Sequence, residues 1–406
     1  MRERLSLQAA PFDRWLTVLV GRSEPSRTAE RVSPLVLAGL VGIVTVWRLA
    51  ILAYSYILDQ VGYMTCGALV PQPWNYSACW DTASYQQIAA NGYAYTPDEP
   101  STIAFFPMYA LLMRWANDLI PGPGDVKAGV IVNFVALIVG VVYVFLLVRR
   151  DFSETIAWRT VGFLLLFPSA FFFSAAYSEA IFLVSVAGSL YHARRGHWVR
   201  AGLFAAFGSA TKLAGILLIV PLVVEALSQR AWTRPRPNSL AGILLAPLGA
   251  IAYFAWLHVE YGSYRTFFNA QQNWIRESFS PVFVMGIQRL TGDISDAILF
   301  YPPTITPIPG VWILIDTTLV ALFLAAGVYL WLRVRASYGA LVIAPSLLFG
   351  LSGNPQSLNR YLLVLFPVYI LLAQIRSEAI RIAIIIAFGL GLGIEAFFFM
   401  NEMWAG

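Results

Sequence analysis

The chain has 406 residues, 58% of them hydrophobic and only 12% charged, with a net charge of +5 and a mean hydropathy of +0.67. Soluble domains run nearer half apolar and a quarter charged, so this composition excludes a soluble globular domain. Apolar runs long enough to cross about 30 Å of hydrocarbon recur along the whole length and predict an all-α polytopic membrane protein. The basic surplus is first a topology signal and only secondarily an attraction to anionic lipids.

Residues 1–33 are polar and carry Arg2, Arg4, Arg14, Arg22, Arg27 and Arg31, which predicts a cytoplasmic tail. The apolar run that follows is too long for the h-region of a cleavable signal peptide. A first span is expected at 34–58. From Asp59 to Met113 there is no lysine or arginine, so a first outer loop is expected over 59–126. Residues 103–119 are apolar, but a crossing there would place Arg149 and Arg150 outside. With Pro107, Arg114 and Trp115 the segment is expected to be an interfacial or re-entrant helix, as is 82–92.

Further spans are expected at about 127–148, 156–176 and 178–193, with Arg149, Arg150, Arg194, Arg195 and Arg200 inside. The run 201–227 has basic residues beyond both ends and is too long for one straight span, so two short helices hinged near Thr211–Gly215 are expected. Spans at 239–260, 311–332, 338–351, 361–375 and 380–400 complete the map, with Arg333, Arg335, Arg376 and Arg381 inside. A second large outer loop, 261–310, and the turn 352–360 then fall outside, and 401–406 is a short tail. Residues 34–400 form one transmembrane domain on this map.

The segment Trp80–Tyr109, WDTASYQQIAANGYAYTPDEPSTIAFFPMY, is unlike a spanning helix although spans surround it. It sets Asp81 beside a tryptophan, then an aromatic amphipathic stretch, then Asp98 and Glu99, then an apolar AFFP run. Asp81 precedes TASYQQIAA and is also well placed to cap that helix. Cys66 and Cys79 lie in the same outer loop, where a disulfide is expected to persist. The three histidines form no metal-ligand spacing, so no structural zinc site is expected. No glycine-rich phosphate loop is present, and no nucleotide or nucleic-acid partner is expected. The absence of an internal repeat counts against an inverted-repeat transporter.

Trp80-Asp81 with Tyr85, Ile88-Ala89, Gly92-Tyr93 and Ala104-Phe105-Phe106-Pro107 closely resembles the first-loop motif of the PIG-V-like mannosyltransferases, members of the GT-C superfamily of membrane glycosyltransferases. Phe167-Pro168 with Ser174–Ala180 (SAAYSEA) is similar to a second family segment. Ala210-Thr211-Lys212 with Gly215-Ile216 is similar to a third, with lysine where relatives usually show arginine. Asn359-Arg360-Tyr361 with Phe366-Pro367 is a weaker fourth match. The protein O-mannosyltransferases look alike overall but have a different first-loop sequence.

The resemblance implies a GT-C bundle of about 9–11 transmembrane or re-entrant helices with juxtamembrane helices in the first outer loop. It implies transfer of a sugar, mannose by family, from a polyprenyl-phosphate donor to a lipid, glycan or protein acceptor. The active site would lie on the extracytoplasmic face of the cell membrane, and the transfer would invert the anomeric carbon. Such chemistry needs a base for the acceptor hydroxyl, and Asp81 is the candidate. Glu99 is the candidate assisting acid, although a solvated Pro-Asp-Glu-Pro turn is an equal reading of it. No cofactor is called for; a divalent metal is compatible with the family but is not predicted, since two acids eighteen residues apart specify no site. Trp80, Tyr85, Tyr177, Glu179 and Asn359 are candidate substrate contacts.

Lys212, midway through an apolar run, needs an anion, and a donor phosphate would supply it. Arg360 is its candidate companion, suited to bidentate phosphate contact. Arg48 is expected to snorkel or to pair within the bundle. Asp316 and Glu395 are expected near the hydrated outer ends of their spans, and His258 and Glu260 at an interface. The loop 261–310, with Trp274, Arg276 and Arg289, is a candidate lid. Of the 27 basic residues only Lys127 and Lys212 are lysines, a bias of GC-rich bacterial genomes. A flippase for lipid-linked sugars and a non-catalytic subunit of a glycosylation complex are the competing functions. Neither requires the single carboxylate of Asp81.

Overall fold

The computed structural model describes residues 32–66, 75–120, 125–230, 238–274, 309–351 and 358–401. Arg276, Arg289, the N-terminal tail, residues 352–357 and the last five residues lie outside them. Among the described residues there are sixteen α-helices and no strand. Five helical segments are long and apolar enough to cross a membrane: Pro34–Gln60, Asp125–Asp151, Ala241–Tyr261, Leu314–Val334 and Glu378–Met400. The protein is therefore a polytopic helical membrane protein.

Helix α1 (Pro34–Gln60) begins at Ser33, whose hydroxyl accepts the Val36 amide, with proline at the first helical position. The segment that follows holds α2 (Thr82–Asn91) and α3 (Pro107–Leu119). At 13 residues and about 20 Å, α3 is too short to cross. Cys66 and Cys79 are joined by a disulfide with Cα atoms 5.5 Å apart. The Thr65 and Cys66 amides both donate to the Met400 carbonyl, which ties this loop to the end of the last helix.

The inner bundle starts with α4 (Asp125–Asp151) and α5 (Glu154–Leu166). The expected single span over 156–176 is broken here. Phe167 precedes proline and takes extended backbone (φ −54°, ψ 140°), because the proline ring disfavours helical geometry in the residue before it. A 3₁₀ turn, Pro168–Phe173, follows, then an irregular turn over 174–178 that leads into α6 (Glu179–Arg194). Helix α7 (Trp198–Ser209) returns alongside α6. A 3₁₀ segment (Leu213–Leu218) and α8 (Ile219–Ser228) then complete a broken hairpin hinged at Ala210–Lys212. At that hinge Gly215 lies directly on the Gly208 carbonyl, where no side chain fits.

Helices α9 (Asn238–Leu245) and α10 (Leu248–Tyr261) are separated at Pro247 and pack on α7 through Gly202, Gly242 and Gly249, whose backbones meet neighbouring carbonyls directly. Helix α11 (Arg265–Trp274) lies beyond. Helix α12 (Pro309–Tyr329) ends in a π-turn (Leu330–Val334) and packs on α13 (Ala336–Leu351). The expected span 361–375 is likewise interrupted, into α14 (Leu358–Leu363) and α15 (Pro367–Ala373). Helix α16 (Glu378–Met400) closes the bundle against α5 and the 168–173 turn.

Helix α6 spans about 24 Å, and a buried ion network closes the end opposite Glu179. Arg194 pairs with Glu225 at 2.7 Å and with Asp151 at 3.2 Å, while Arg335 lies 3.6 Å from Glu225 and 3.7 Å from Asp151. Ser337 and Gln229 donate to Glu225, and Tyr338 donates to Asp151. These groups fasten α4, α6, α8 and α13 together. Removing one member strands a buried charge, so Glu225→Ala is expected to lose about 3–5 kcal/mol of stability, read as a lowered unfolding temperature in detergent. A change too small to measure would show that the network contributes nothing to the bundle.

Candidate active site

Four charged side chains from four distant segments meet at the Glu179 end of α6, beside α14. Arg360 Nη1 donates to Asp81 Oδ2 at 2.7 Å, and its Nε lies 3.3 Å from Glu179 Oε1. The same Glu179 oxygen accepts from Lys212 Nζ. The chain Asp81–Arg360–Glu179–Lys212 sums to zero charge, which is how four ionised groups persist in a largely dry location. Their exposures differ. The side chains of Glu179, Arg360 and Lys212 are 1%, 9% and 13% exposed, whereas that of Asp81 is 30% exposed. Asp81 is thus the member an incoming molecule reaches first.

Local structure explains how Asp81 comes to face this cluster. Trp80 has φ +54°, a left-handed backbone that a bulky residue rarely adopts, and it redirects the chain just ahead of α2. Asp81 occupies the N-cap position of α2 but makes no side-chain capping bond. Its carboxylate goes to Arg360 instead, so the capping role open to it in the sequence is not the one it takes. The Asp81 amide donates to the Tyr177 hydroxyl at 3.1 Å, and that hydroxyl donates to the Cys79 carbonyl at 3.3 Å. Trp80 is partly exposed, its indole N–H 3.4 Å from the Phe399 carbonyl.

Aromatic rings line the cations. The Arg360 guanidinium lies over Phe172, Tyr177 and Tyr361 at 5.1–5.3 Å, and Lys212 Nζ lies 5.1 Å from the Tyr361 ring. Tyr85 donates to Ser178 Oγ at 3.1 Å and packs edge-on against Phe105 and Tyr109. Burial, with a contribution from Asp81, raises the Tyr177 phenol above its ordinary value; burial, then Glu179 and Asp81, does the same to Tyr85. Both stay protonated and serve as hydrogen-bond donors.

Of the sequence candidates, Asp81, Tyr85, Tyr177, Glu179, Lys212 and Arg360 converge, and two others do not join them. Glu99 is exposed on its turn; its backbone carbonyl accepts from Asn273 of α11, and its carboxylate is not part of the ion chain. Asn359 turns its amide onto Glu395 at 2.9 Å and not onto the ion chain. Glu395 and Asp316 are buried at 9% and 2% exposure, not hydrated as their positions in the sequence suggested. Arg48 pairs within the bundle by donating to the Ser174 carbonyl at 3.1 Å. His258 and Glu260 are exposed at the end of α10. Among the described residues no three His, Cys, Asp or Glu side chains converge as metal ligands would.

Two groups that the sequence does not single out help to hold the site. Asn133 and Tyr76, with Arg48, bind the 174–177 turn. A lone amide in the apolar run of α4 was the available signal for Asn133, since buried polar groups in such helices need partners.

The fold is a polytopic bundle of membrane helices in which the short helices α2 and α3 follow the first long one and the charged cluster lies beside them. The family model of dolichyl-phosphate-mannose-protein mannosyltransferases matches residues 98–256, less than half of the chain and beginning after Trp80-Asp81. Among solved structures, the chain is similar to ArnT from Cupriavidus metallidurans bound to undecaprenyl phosphate (TM-score 0.52, 16% identity, 87% of this chain and 62% of that chain). It is also similar to the same protein in the apo state (TM-score 0.48, 16% identity, 90% and 76%). A third is the oligosaccharyltransferase AglB from Archaeoglobus fulgidus in complex with an inhibitory peptide and a dolichol-phosphate (TM-score 0.39, 13% identity, 89% and 56%). The first likeness shows a common fold, and the chain spans about 62% of the length of that ArnT chain. No curated protein matches the chain by sequence.

Glu179 holds both cations, so its loss strands them. Glu179→Ala is expected to cost about 3–5 kcal/mol, and the Glu179→Ala/Lys212→Ala pair less than the sum of its single variants. Thermal unfolding in detergent measures both; strict additivity would show that the two residues are not energetically coupled.

Proposed function

We propose that the protein is a membrane glycosyltransferase. It moves a sugar, mannose in this proposal, from a polyprenyl-phosphate donor to a lipid, glycan or protein acceptor at the extracytoplasmic face, with inversion. The observation that carries the proposal is the single neutral chain Asp81–Arg360–Glu179–Lys212, with its carboxylate at the exposed end and its two cations inside. The first-loop motif at Trp80–Pro107 supports a PIG-V-like enzyme within the GT-C superfamily. The family match to 98–256 and the polyprenyl phosphate carried by the ArnT neighbour support the donor class.

The chemistry follows from the positions. An acceptor hydroxyl attacks the anomeric carbon, and Asp81 takes its proton as the O–C bond forms. The bond from that carbon to the phosphate oxygen breaks on the opposite face, and its electron pair leaves with the phosphate. The departing polyprenyl phosphate gains a negative charge, so Arg360 and Lys212 stabilise the transition state more than the bound donor. Guanidinium suits two phosphate oxygens at once, while the ammonium acts as a point charge. A donor phosphate competes with Asp81 and Glu179 for Arg360, so donor binding loosens the Asp81–Arg360 pair and frees the base. Trp80, Tyr85 and Tyr177 border the sugar in this arrangement, whereas the Asn359 side chain is turned onto Glu395.

Asp81→Asn is expected to fold normally and to lose at least about 10²-fold in sugar transfer. Arg360→Met is expected to weaken polyprenyl-phosphate binding. The assay uses purified protein in lipid with radiolabelled polyprenyl-phosphate-mannose and a membrane extract as acceptor pool. Equal transfer by wild type and Asp81→Asn would overturn the role of Asp81. A donor bound but never consumed by folded wild-type protein would favour another donor sugar or transport.

A further inference from the structure

The turn 174–178 carries no catalytic group of its own, yet most of the site rests on it. Tyr177 meets the Asp81 amide through its hydroxyl and the Arg360 guanidinium through its ring. Ser178 accepts from Tyr85, and Glu179 follows immediately. The turn has few backbone bonds of its own, because Pro168 has ended the preceding helix and α6 has not begun. The Ala175 carbonyl accepts the Tyr177 amide and the Ser178 carbonyl the Phe182 amide, and the remaining hydrogen-bonding capacity of the turn's carbonyls is met by donors from elsewhere.

Those donors are side chains from two other segments and from α1. Asn133, fully buried in the middle of α4, gives one amide hydrogen to the Ala175 carbonyl and the other to the Tyr177 carbonyl at 2.8 Å. Arg48 of α1 donates to the Ser174 carbonyl at 3.1 Å, its guanidinium lying 5.7 Å from the Phe134 ring. The Tyr76 hydroxyl lies 2.8 Å from Ser174 Oγ and 3.2 Å from the Ser174 carbonyl. Asn133 is the centre of this bracket, since it alone grips both sides of Ala176.

Resting on the glycosyltransferase reading, we propose that Asn133 is a positioning residue for the transfer step. By fixing the carbonyls of Ala175 and Tyr177 it fixes the height of the Tyr177 ring and hydroxyl, and through them the separation of Asp81 and Arg360. It touches neither donor nor acceptor. Its loss moves the base relative to the phosphate site, and displacements of about 1 Å in such geometry cost on the order of 10²-fold in rate. Binding of the polyprenyl phosphate, held by Lys212 and Arg360, changes little.

The test compares Asn133→Leu and Asn133→Asp, which keep the approximate size and remove the paired donors, with wild type. The expected result is a kcat lower by on the order of 10- to 10²-fold and a donor KM within a few-fold, measured per folded protein. A purely structural role would lower the folded fraction and leave kcat of the folded protein unchanged. Tyr76→Phe deletes one hydroxyl on the same turn and is expected to show a smaller loss of the same kind; it keeps the proposal testable if neither Asn133 variant folds. A readout independent of catalysis uses Asp81→Cys with Arg360→Cys and a short bis-methanethiosulfonate cross-linker, with Asn133 either intact or replaced by leucine. Cross-linking that falls when Asn133 is replaced supports the bracket even if the wild type transfers no sugar, in which case the transferase reading alone fails. Unchanged cross-linking together with unchanged kcat overturns the role of Asn133.

Discussion

The charged site at the Glu179 end of α6 depends on one interaction, the shared use of Glu179 by two cations. Glu179 is fully buried at the first turn of α6, and it draws Lys212 in from the hairpin hinge and Arg360 in from α14. Without it the two positive charges would repel each other in a low-dielectric setting, and neither chain segment would stay where it is. With it, one net positive charge remains, and Asp81 satisfies that charge from the exposed side. The juxtamembrane loop is thereby held by a charge as well as by its disulfide and its bonds to the Met400 carbonyl.

A neutral ion chain of this kind suits a site that must accept an anion and then release a proton acceptor. Both steps are an exchange of partners among groups that are already in place, so little reorganisation is needed when substrates arrive. Helix α6 links this end to the other, where Arg194, Glu225, Asp151 and Arg335 form a second compensated network. The broken hairpin is thus fastened to α6 at both ends, through Lys212 to Glu179 and through Glu225 to Arg194. The hinge lysine is held in register as a consequence.

Much of this was legible in the sequence, for physical reasons. The long spans α1, α4, α12 and α16 announce themselves by length and hydropathy. The hinge at 210–212 follows from basic residues beyond both ends of an over-long apolar run. Lys212, Glu179 and Arg360 stand out because ionisable groups in apolar surroundings must find partners. What was not legible is which partners they find. Glu179 and Lys212 are 33 residues apart, and Asp81 and Arg360 are 279 apart, so only the folded bundle shows that the two carboxylates and the two cations form one chain. The breaks at Pro168 and Pro367 divide segments that hydropathy alone reads as continuous spans. Asn133 was invisible as a site residue because its work is done through backbone carbonyls, which leave no trace in side-chain chemistry.

The central claim is that the two cations form a phosphate site whose occupation releases Asp81. A cryo-EM structure of the protein in lipid nanodiscs with bound polyprenyl phosphate tests it most directly. The account predicts phosphate density in contact with both Arg360 and Lys212, and an Asp81 carboxylate drawn away from Arg360 toward the open face. Phosphate density remote from these residues, with the Asp81–Arg360 pair intact, would contradict it.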